Sequence, residues 1–246
     1  MDTVIITCEH GGNRIPAAYR GLFRGQRVLL DSHRGYDHGA LTMATALSGA
    51  FSAPLVASTT SRLLVDLNRS TGHRQLFSAA TRGLPAGTRT RILDDHYRPY
   101  RSRVEHLVTQ AVARGNRVIH VSSHSFTPEL DGKVRNADVG LLYDPARREE
   151  AALCARWKTS LATFAPQLRV RRNYPYAGSG DGLTSHLRHR FAPGEYVGIE
   201  LEVNQGIALS AGQRWTATQR ILIESLSTAS ADICRPSRVS ATTSGR

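Results

Sequence analysis

The feature that most restricts the fold is an alternation between short β-branched or apolar runs and longer stretches with helical spacing. The runs are 3–7, 27–30, 63–67, 117–121, 139–143 and 196–203, and each gives way to a polar or glycine-bearing turn. Such runs suit buried strands. Between them, 39–51 is rich in Ala and Leu, while 93–113, 149–164 and 215–226 carry apolar residues three and four apart, the spacing of one helix face. Strands alternating with helices predict an α/β fold, a mixed and mostly parallel sheet flanked by helices. The 93–113 helix has Asp94 and Asp95 in its first turn and Arg114-Gly115 as its stop, each suited to the helix dipole or to termination.

With 246 residues, 40% of them apolar, the chain has material for one substantial core, so a single domain over 1–236 is expected. No fixed-period repeat is present, which excludes a solenoid. The Ser/Thr-rich stretch 237–246 has almost no apolar content and is expected to be a disordered tail. No apolar run approaches the roughly 20 residues of a membrane span. The N-terminus lacks the basic and apolar regions of a signal peptide, so a cytoplasmic location is expected. Cys8, Cys154 and Cys234 form no CxxC pair and leave an odd thiol. A disulfide framework and a thiolate zinc site are thereby excluded, and any metal must be held by His and carboxylates.

Five blocks collect groups capable of chemistry. Cys8-Glu9-His10-Gly11-Gly12-Asn13 follows the first expected strand, where open α/β sheets bind ligands; its glycines allow a sharp turn and close approach to a ligand, and a tight turn with an incidental histidine is the plain alternative. Asp31-Ser32-His33-Arg34-Gly35-Tyr36-Asp37-His38 packs two acids and two imidazoles into eight residues, although Asp37 also suits a helix N-cap. In 117–126, His120, Ser122 and His124 alternate onto one strand face, with His120 expected in the interior and His124 at a site. Glu200 and Glu202, two apart in an apolar run, share a face where burial raises a carboxyl pKa, unless the strand is a solvated edge. Arg69 closes the 61–69 block, and its guanidinium suits a bidentate clamp on a carboxylate. The stretch 173–182, rich in Tyr, Pro and Gly, reads as a loop over a site. Together these are the parts of a metal-assisted hydrolase: imidazole and carboxylate ligands, a general base and an anion clamp.

The ordered blocks Cys8-Glu9-His10 to Pro16, Asp31 to Ala40, Ser61 to Arg69, His124-Ser125-Phe126, Asn136 to Pro145, Gly180 to Arg188 and Ile199 to Gln205 resemble the N-formylglutamate amidohydrolase family. The resemblance implies a fold similar to zinc carboxypeptidases, of the phosphorylase/hydrolase-like type, and release of formate from N-formyl-L-glutamate. It implies a divalent metal, zinc by analogy, held by His10, His124 and an acid of the 31–37 block. Asp37 is the first choice for that acid, with Asp31 and His33 as substitutes. Asn68 and Arg69 resemble a pair that grips a substrate carboxylate, and Arg188 is the next arginine assigned to an acidic substrate. Glu202 matches the general base, with Glu200 as its neighbour; His186 or Tyr176 is assigned a proton or an oxyanion contact. The His-x-x-Glu spacing of carboxypeptidases is absent, because Asn13 stands three after His10. The implied partner is a small N-acyl amino acid, without a membrane; the sequence is silent on oligomeric state.

Two other readings use the same residues. Cys8 as nucleophile with His10 or His124 as base would need the thiol and an imidazole on one strand face. The formal charge of +12, with 30 arginines against two lysines, suggests nucleic acid. However, the arginines are dispersed, and aromatics are not interleaved with them as a stacking platform requires.

Overall fold

The computed structural model describes residues 2–210 and 212–231. Its strands are β1 (Asp2–Cys8), β2 (Leu55–Ala57), β3 (Arg117–Phe126), β4 (Glu129–Leu130), β5 (Lys133–Val134), β6 (Val139–Leu142), β7 (Val170–Arg172) and β8 (Tyr196–Asn204). Six of them form one sheet in the order β2-β1-β3-β8-β6-β7, and β4 pairs with β5 as a separate hairpin. All neighbours in the sheet run parallel except β6 and β8. The expected mixed, mostly parallel sheet is therefore present. The helices are α1 (Arg27–Leu30), α2 (Ala40–Phe51), α3 (Ala79–Arg82), α4 (Ala86–Ile92), α5 (Arg98–Ala113), α6 (Arg148–Phe164), α7 (Leu183–Arg190), α8 (Gln205–Ala208) and α9 (Gln213–Ala231).

The alternation of the long strands divides the interior into two apolar layers. Ile6, Cys8, Ile119, Val121, Val197, Ile199, Leu201 and Val203 pack against α2, α6 and α9, with Trp157 fully buried among them. On the other face Ile5, Val118 and Tyr196 pack against α5, α7 and the 63–76 segment. That second face becomes polar toward the strand ends, where Thr7, Glu9, His120, Ser122, His124 and Glu202 are all buried. The chain leaves β1 toward β2 but leaves β3 toward β6, on the opposite side. The carboxyl ends of β1 and β3 thus flank a topological switch point, the usual ligand crevice of such sheets.

Several elements differ from the sequence expectation for identifiable reasons. The 27–30 run is a single helical turn whose Val28 is 87% exposed, since a four-residue apolar run carries no period that separates strand from helix. The 63–67 run is buried but belongs to no ladder; turns such as Leu64 N–H to Ser61 O carry its backbone. The 93–113 helix starts as a π turn over Leu93–Tyr97, continuous with α4 and α5. Pro99 lies just beyond that turn, and a proline's missing N–H and its clash with the carbonyl four residues back favour such a bulge. The helix α7 was not expected because Leu183 and Leu187 are its only apolar residues. The 237–246 tail lies outside the described residues.

Arg188 is where the expectation of substrate contact fails. Its guanidinium is buried, with Nε 3.0 and 3.1 Å from the two Glu150 oxygens, Nη1 2.6 Å from Gly178 O and Nη2 2.9 Å from Gly198 O. Glu150, fully buried, also accepts from the Gly198 and Asp144 amides. The pair joins α6, α7, β8 and the 173–182 loop. Arg188→Ala should destabilise the chain by about 3–5 kcal/mol, since it strands the buried Glu150 charge; a urea-denaturation midpoint close to the parent's would contradict this.

Candidate metal centre

The polar end of the second face is built from strand termini and one loop. Thr7 and Glu9 extend the alternation of β1, and His120, Ser122 and His124 alternate along β3. Glu200 and Glu202 pair in register with Ser122 and His124 from β8, so the side chains of each pair stand on the same side of the sheet. Asp37 comes from the loop before α2. Its amide donates to His10 O, and the backbone N-cap of α2 is Gly39 at φ +80°. The Asp37 carboxylate is thereby released from capping and turned inward.

Asp37, His10 and His124 converge. His10 Nδ1 lies 3.3 Å and His124 Nδ1 2.8 Å from Asp37 Oδ2, and one ligand atom from each residue lies within 4.8 Å of the others. Donors about 2.1 Å from a tetrahedral zinc stand roughly 3.4 Å apart, so the separations fit a common ion. Each imidazole turns its other nitrogen to a second buried acid: His10 Nε2 is 2.7 Å from Asp66 Oδ1, and His124 Nε2 is 3.0 Å from Glu9 Oε2. Arg62 donates to Asp66 Oδ2 at 2.8 Å and to Asp37 Oδ1 at 3.3 Å.

Burial would raise the carboxyl pKa values here, but specific partners reverse it. His10, His124 and Arg62 hold Asp37 well below the carboxylate range, and Arg62 and His10 do the same to Asp66. His124, Ser122 and Tyr100 hold Glu9 low. Burial alone would lower His124, yet its bonds to Asp37 and Glu9 push it well above the usual imidazole value. Glu202 is the opposite case. Burial, with Asp37 and Glu200 nearby and only partial relief from His124, raises it to about 8. Its Oε2 is buried and has no hydrogen-bond partner among the described residues.

Beside this centre opens a cavity of about 390 Å³ lined by His33, Arg34, Arg62, Asp66, Arg69, Phe77, Arg82, Leu130 and Tyr176, among others. Arg62 and Asp66, which contact Asp37 and His10, form part of its wall, so the cavity lies next to the centre, although His10, Asp37, His124 and Glu202 do not themselves line it. The residues whose role the sequence reading missed are Arg62, Asp66 and Glu9. All three lie inside blocks it singled out, and Arg62 and Asp66 pair four positions apart, but the links of Arg62 to Asp37, Asp66 to His10 and Glu9 to His124 span 25 to 115 positions, beyond any local pattern.

The profile of N-formylglutamate amidohydrolases matches residues 2–208. The chain belongs to the N-formylglutamate amidohydrolase family. An Agrobacterium tumefaciens gene product is similar in structure over 94% of this chain and 91% of its own, with TM-score 0.81 and 30% identity. The N-formylglutamate amidohydrolase of Ralstonia eutropha shares the fold over 93% of both chains, with TM-score 0.69 and 19% identity. No curated protein sequence matches the chain.

In this N-formylglutamate amidohydrolase family member the remaining candidates are placed as follows. Arg69 lines the cavity and donates through Nη1 to Asp181 O. Asn68 Oδ1 accepts from the Leu183 amide at 2.7 Å. Glu200 accepts from Thr184 Oγ1, and His186 is held 2.6 Å from Glu105, away from the centre. Tyr176 lines the cavity and is 47% exposed. Asp31 is held at the surface by Asn13 and Arg27, and His33 is a cavity residue; neither belongs to the converging group. His120 lies between Thr7 Oγ1 and Tyr196 OH, its pKa lowered to about 4 chiefly by burial.

Two expectations are corrected. Cys8 lies in the apolar layer beside α2, on the opposite side of the sheet from Glu9, and burial together with the Glu9 and Asp37 charges pushes its thiol pKa well up. The shared face needed by a thiol mechanism is absent. Gly11 and Gly12 do approach backbone closely, but it is the chain's own: a Cβ at either would stand 2.7–2.8 Å from Thr59 O or Ser58 O.

The raised Glu202 pKa gives a stability signature in metal-free protein. The folded state favours the protonated carboxyl, so Glu202 costs stability progressively as pH rises from 4.5 through about 8. Glu202→Gln should equal the parent near pH 4 and exceed it in stability around pH 9 by urea denaturation. A difference that does not vary with pH would indicate a solvated carboxylate.

Proposed function

We propose that the chain is a metal-dependent amidohydrolase that removes an N-formyl group from an acidic amino acid, with N-formyl-L-glutamate as the reference substrate. The observation that carries this reading is the convergence of His10, Asp37 and His124 behind Arg62 and Asp66, which form part of the wall of an arginine-lined cavity. Family membership supports the hydrolysis of a C–N bond in a small N-acyl amino acid.

The donor set of two imidazoles and one carboxylate is the chemistry of an open zinc site. A divalent ion held by His10, Asp37 and His124 would polarise the acyl carbonyl and lower the pKa of water. Glu202 stands beside His124 across the β3–β8 ladder. With a cation beside it to offset the Asp37 and Glu200 charges that favour its protonated form, the ionised Oε2, which has no other partner among the described residues, would accept a proton from the attacking water and return it to the leaving amine nitrogen. Arg62, 26% exposed at its side chain and anchored by two carboxylates, presents positive charge where the oxyanion develops. Arg69 holds a substrate carboxylate with the donors not used by Asp181. Asn68 assists through its Nδ2, its Oδ1 being taken. Arg34 and Arg82 supply further charge for the second carboxylate of an acidic side chain.

Formate release from N-formyl-L-glutamate is the direct assay. Chelation should abolish it and zinc restore it; full turnover by metal-free protein would end the reading. Glu202→Gln should lower kcat by about 10²–10⁴ while zinc remains bound. Arg69→Ala should raise KM about 10–100-fold, the loss of one charge-assisted contact. Equal kcat/KM for N-formyl-L-leucine would remove the acidic substrate but leave the amide hydrolysis.

A further inference from the structure

Glu9 is unusual in this molecule: a carboxylate with no exposure, anchored by three groups from two other elements. Tyr100 OH, from α5, donates to Oε1 at 2.7 Å, and Ser122 Oγ, from β3, donates to Oε2 at 2.5 Å. His124 Nε2 lies 3.0 Å from the same Oε2 and 2.9 Å from Ser122 Oγ; with its hydroxyl proton given to Oε2, Ser122 can only accept from that nitrogen. Among the described residues no Lys or Arg pairs with Glu9, so the imidazole is its cationic or N–H partner. Glu9 also follows β1 immediately and precedes His10, yet it serves the other histidine, because strand alternation puts it on the same face of the sheet as Ser122 and His124 of the neighbouring β3.

We infer that Glu9 is a positioning residue for the metal centre, fixing His124 with its proton on Nε2 and its lone pair on Nδ1. This rests on the proposed metal site. Glu9 has two acceptor oxygens and, when ionised, no donor, so an imidazole nitrogen facing it must carry the proton. Without a metal, Nδ1 donates to Asp37 Oδ2 at 2.8 Å; a metal would displace that Nδ1 proton and not the one Nε2 gives to Glu9, leaving the Nδ1 lone pair for the ion. Tyr100 and Ser122 occupy the carboxylate's other lone pairs and stop it rotating away. A buried acceptor of this kind also strengthens a histidine as a ligand, an effect usually worth 10–100-fold in metal affinity. Asp66 stands in the corresponding relation to His10, but it is shared with Arg62; Glu9 has no such competitor and its charge is directed at His124 alone.

A role in packing alone makes a different forecast. Glutamine has the shape of glutamate: its carbonyl oxygen can accept from Tyr100 OH, and its amide N–H, standing where Oε2 was, can donate to Ser122 Oγ, so a purely structural Glu9 would tolerate Glu9→Gln without change at the metal. The inference expects Glu9→Gln to fold and to bind Zn²⁺ about 10–100-fold more weakly, measured by competition with a chromophoric chelator. Affinity within twofold of the parent would overturn it. Should Glu9→Gln fail to fold, the ¹⁵N spectrum of the zinc-loaded parent decides: a proton on His124 Nε2 supports the inference and a proton on Nδ1 overturns it. The readout is separable from the reaction. A parent that binds zinc, loses it on Glu9→Gln and releases no formate keeps this inference and removes the proposed substrate. Unchanged zinc affinity with normal formate release removes only this inference.

Discussion

Glu9, Asp37 and Asp66 are buried in one cluster, and three carboxylates stay ionised out of water only where hydrogen-bond donors and positive charge are interleaved among them. His10, His124 and Arg62 do this by each touching two acids, and Asp37 is the acid that all three share. The elements that meet here are the ends of β1 and β3, the loop before α2 and the 61–69 segment. Their relative placement is therefore tied to one charge balance. Contributions within such a network are not additive, and the local geometry behaves as a unit.

The arginine excess separates into distinct uses. Arg188 braces four elements from the interior through Glu150, and Arg117 ties the start of β3 to Asp2 at the start of β1. Arg169 pairs with Asp138 beside β6. Arg62 belongs to the buried cluster and, with Arg34, Arg69 and Arg82, also lines the cavity. These four project positive potential into that concave space, where low-dielectric walls focus it. A net charge of +12 is in this respect less informative than the address of four side chains.

Much of this was legible in the sequence, and the parts that were not share a cause. The sheet could be read because β1, β3, β6 and β8 are compact apolar runs, and His10 and His124 because they follow or end such runs. Glu202 stood out as an acid in an apolar strand. Arg188 was misread because its partner Glu150 lies 38 positions away on another helix; a buried ion pair leaves no local trace. The 63–67 run reported burial rather than strand, and Glu9 could not be assigned to His124 before β1 and β3 were known to be neighbours. Local periodicity carries secondary structure, whereas the second partner of a buried charge is a tertiary fact.

The tight seat of the 173–182 loop on β6 has a consequence for how pockets of this kind diversify. A Cβ on Gly140 would stand 2.1 Å from Tyr174 O and 3.2 Å from the Glu202 Cβ, so the loop backbone lies directly on the strand beside Glu202. On the other side of the loop, Gly178 presses equally close to the Tyr143 amide and is held through its carbonyl by Arg188. The path of the loop is thus set by backbone contacts, while the side chain it delivers to the cavity wall, Tyr176, is free to be exchanged. Selectivity in such a scaffold can drift by single substitutions at the wall without re-routing the chain around the reacting centre.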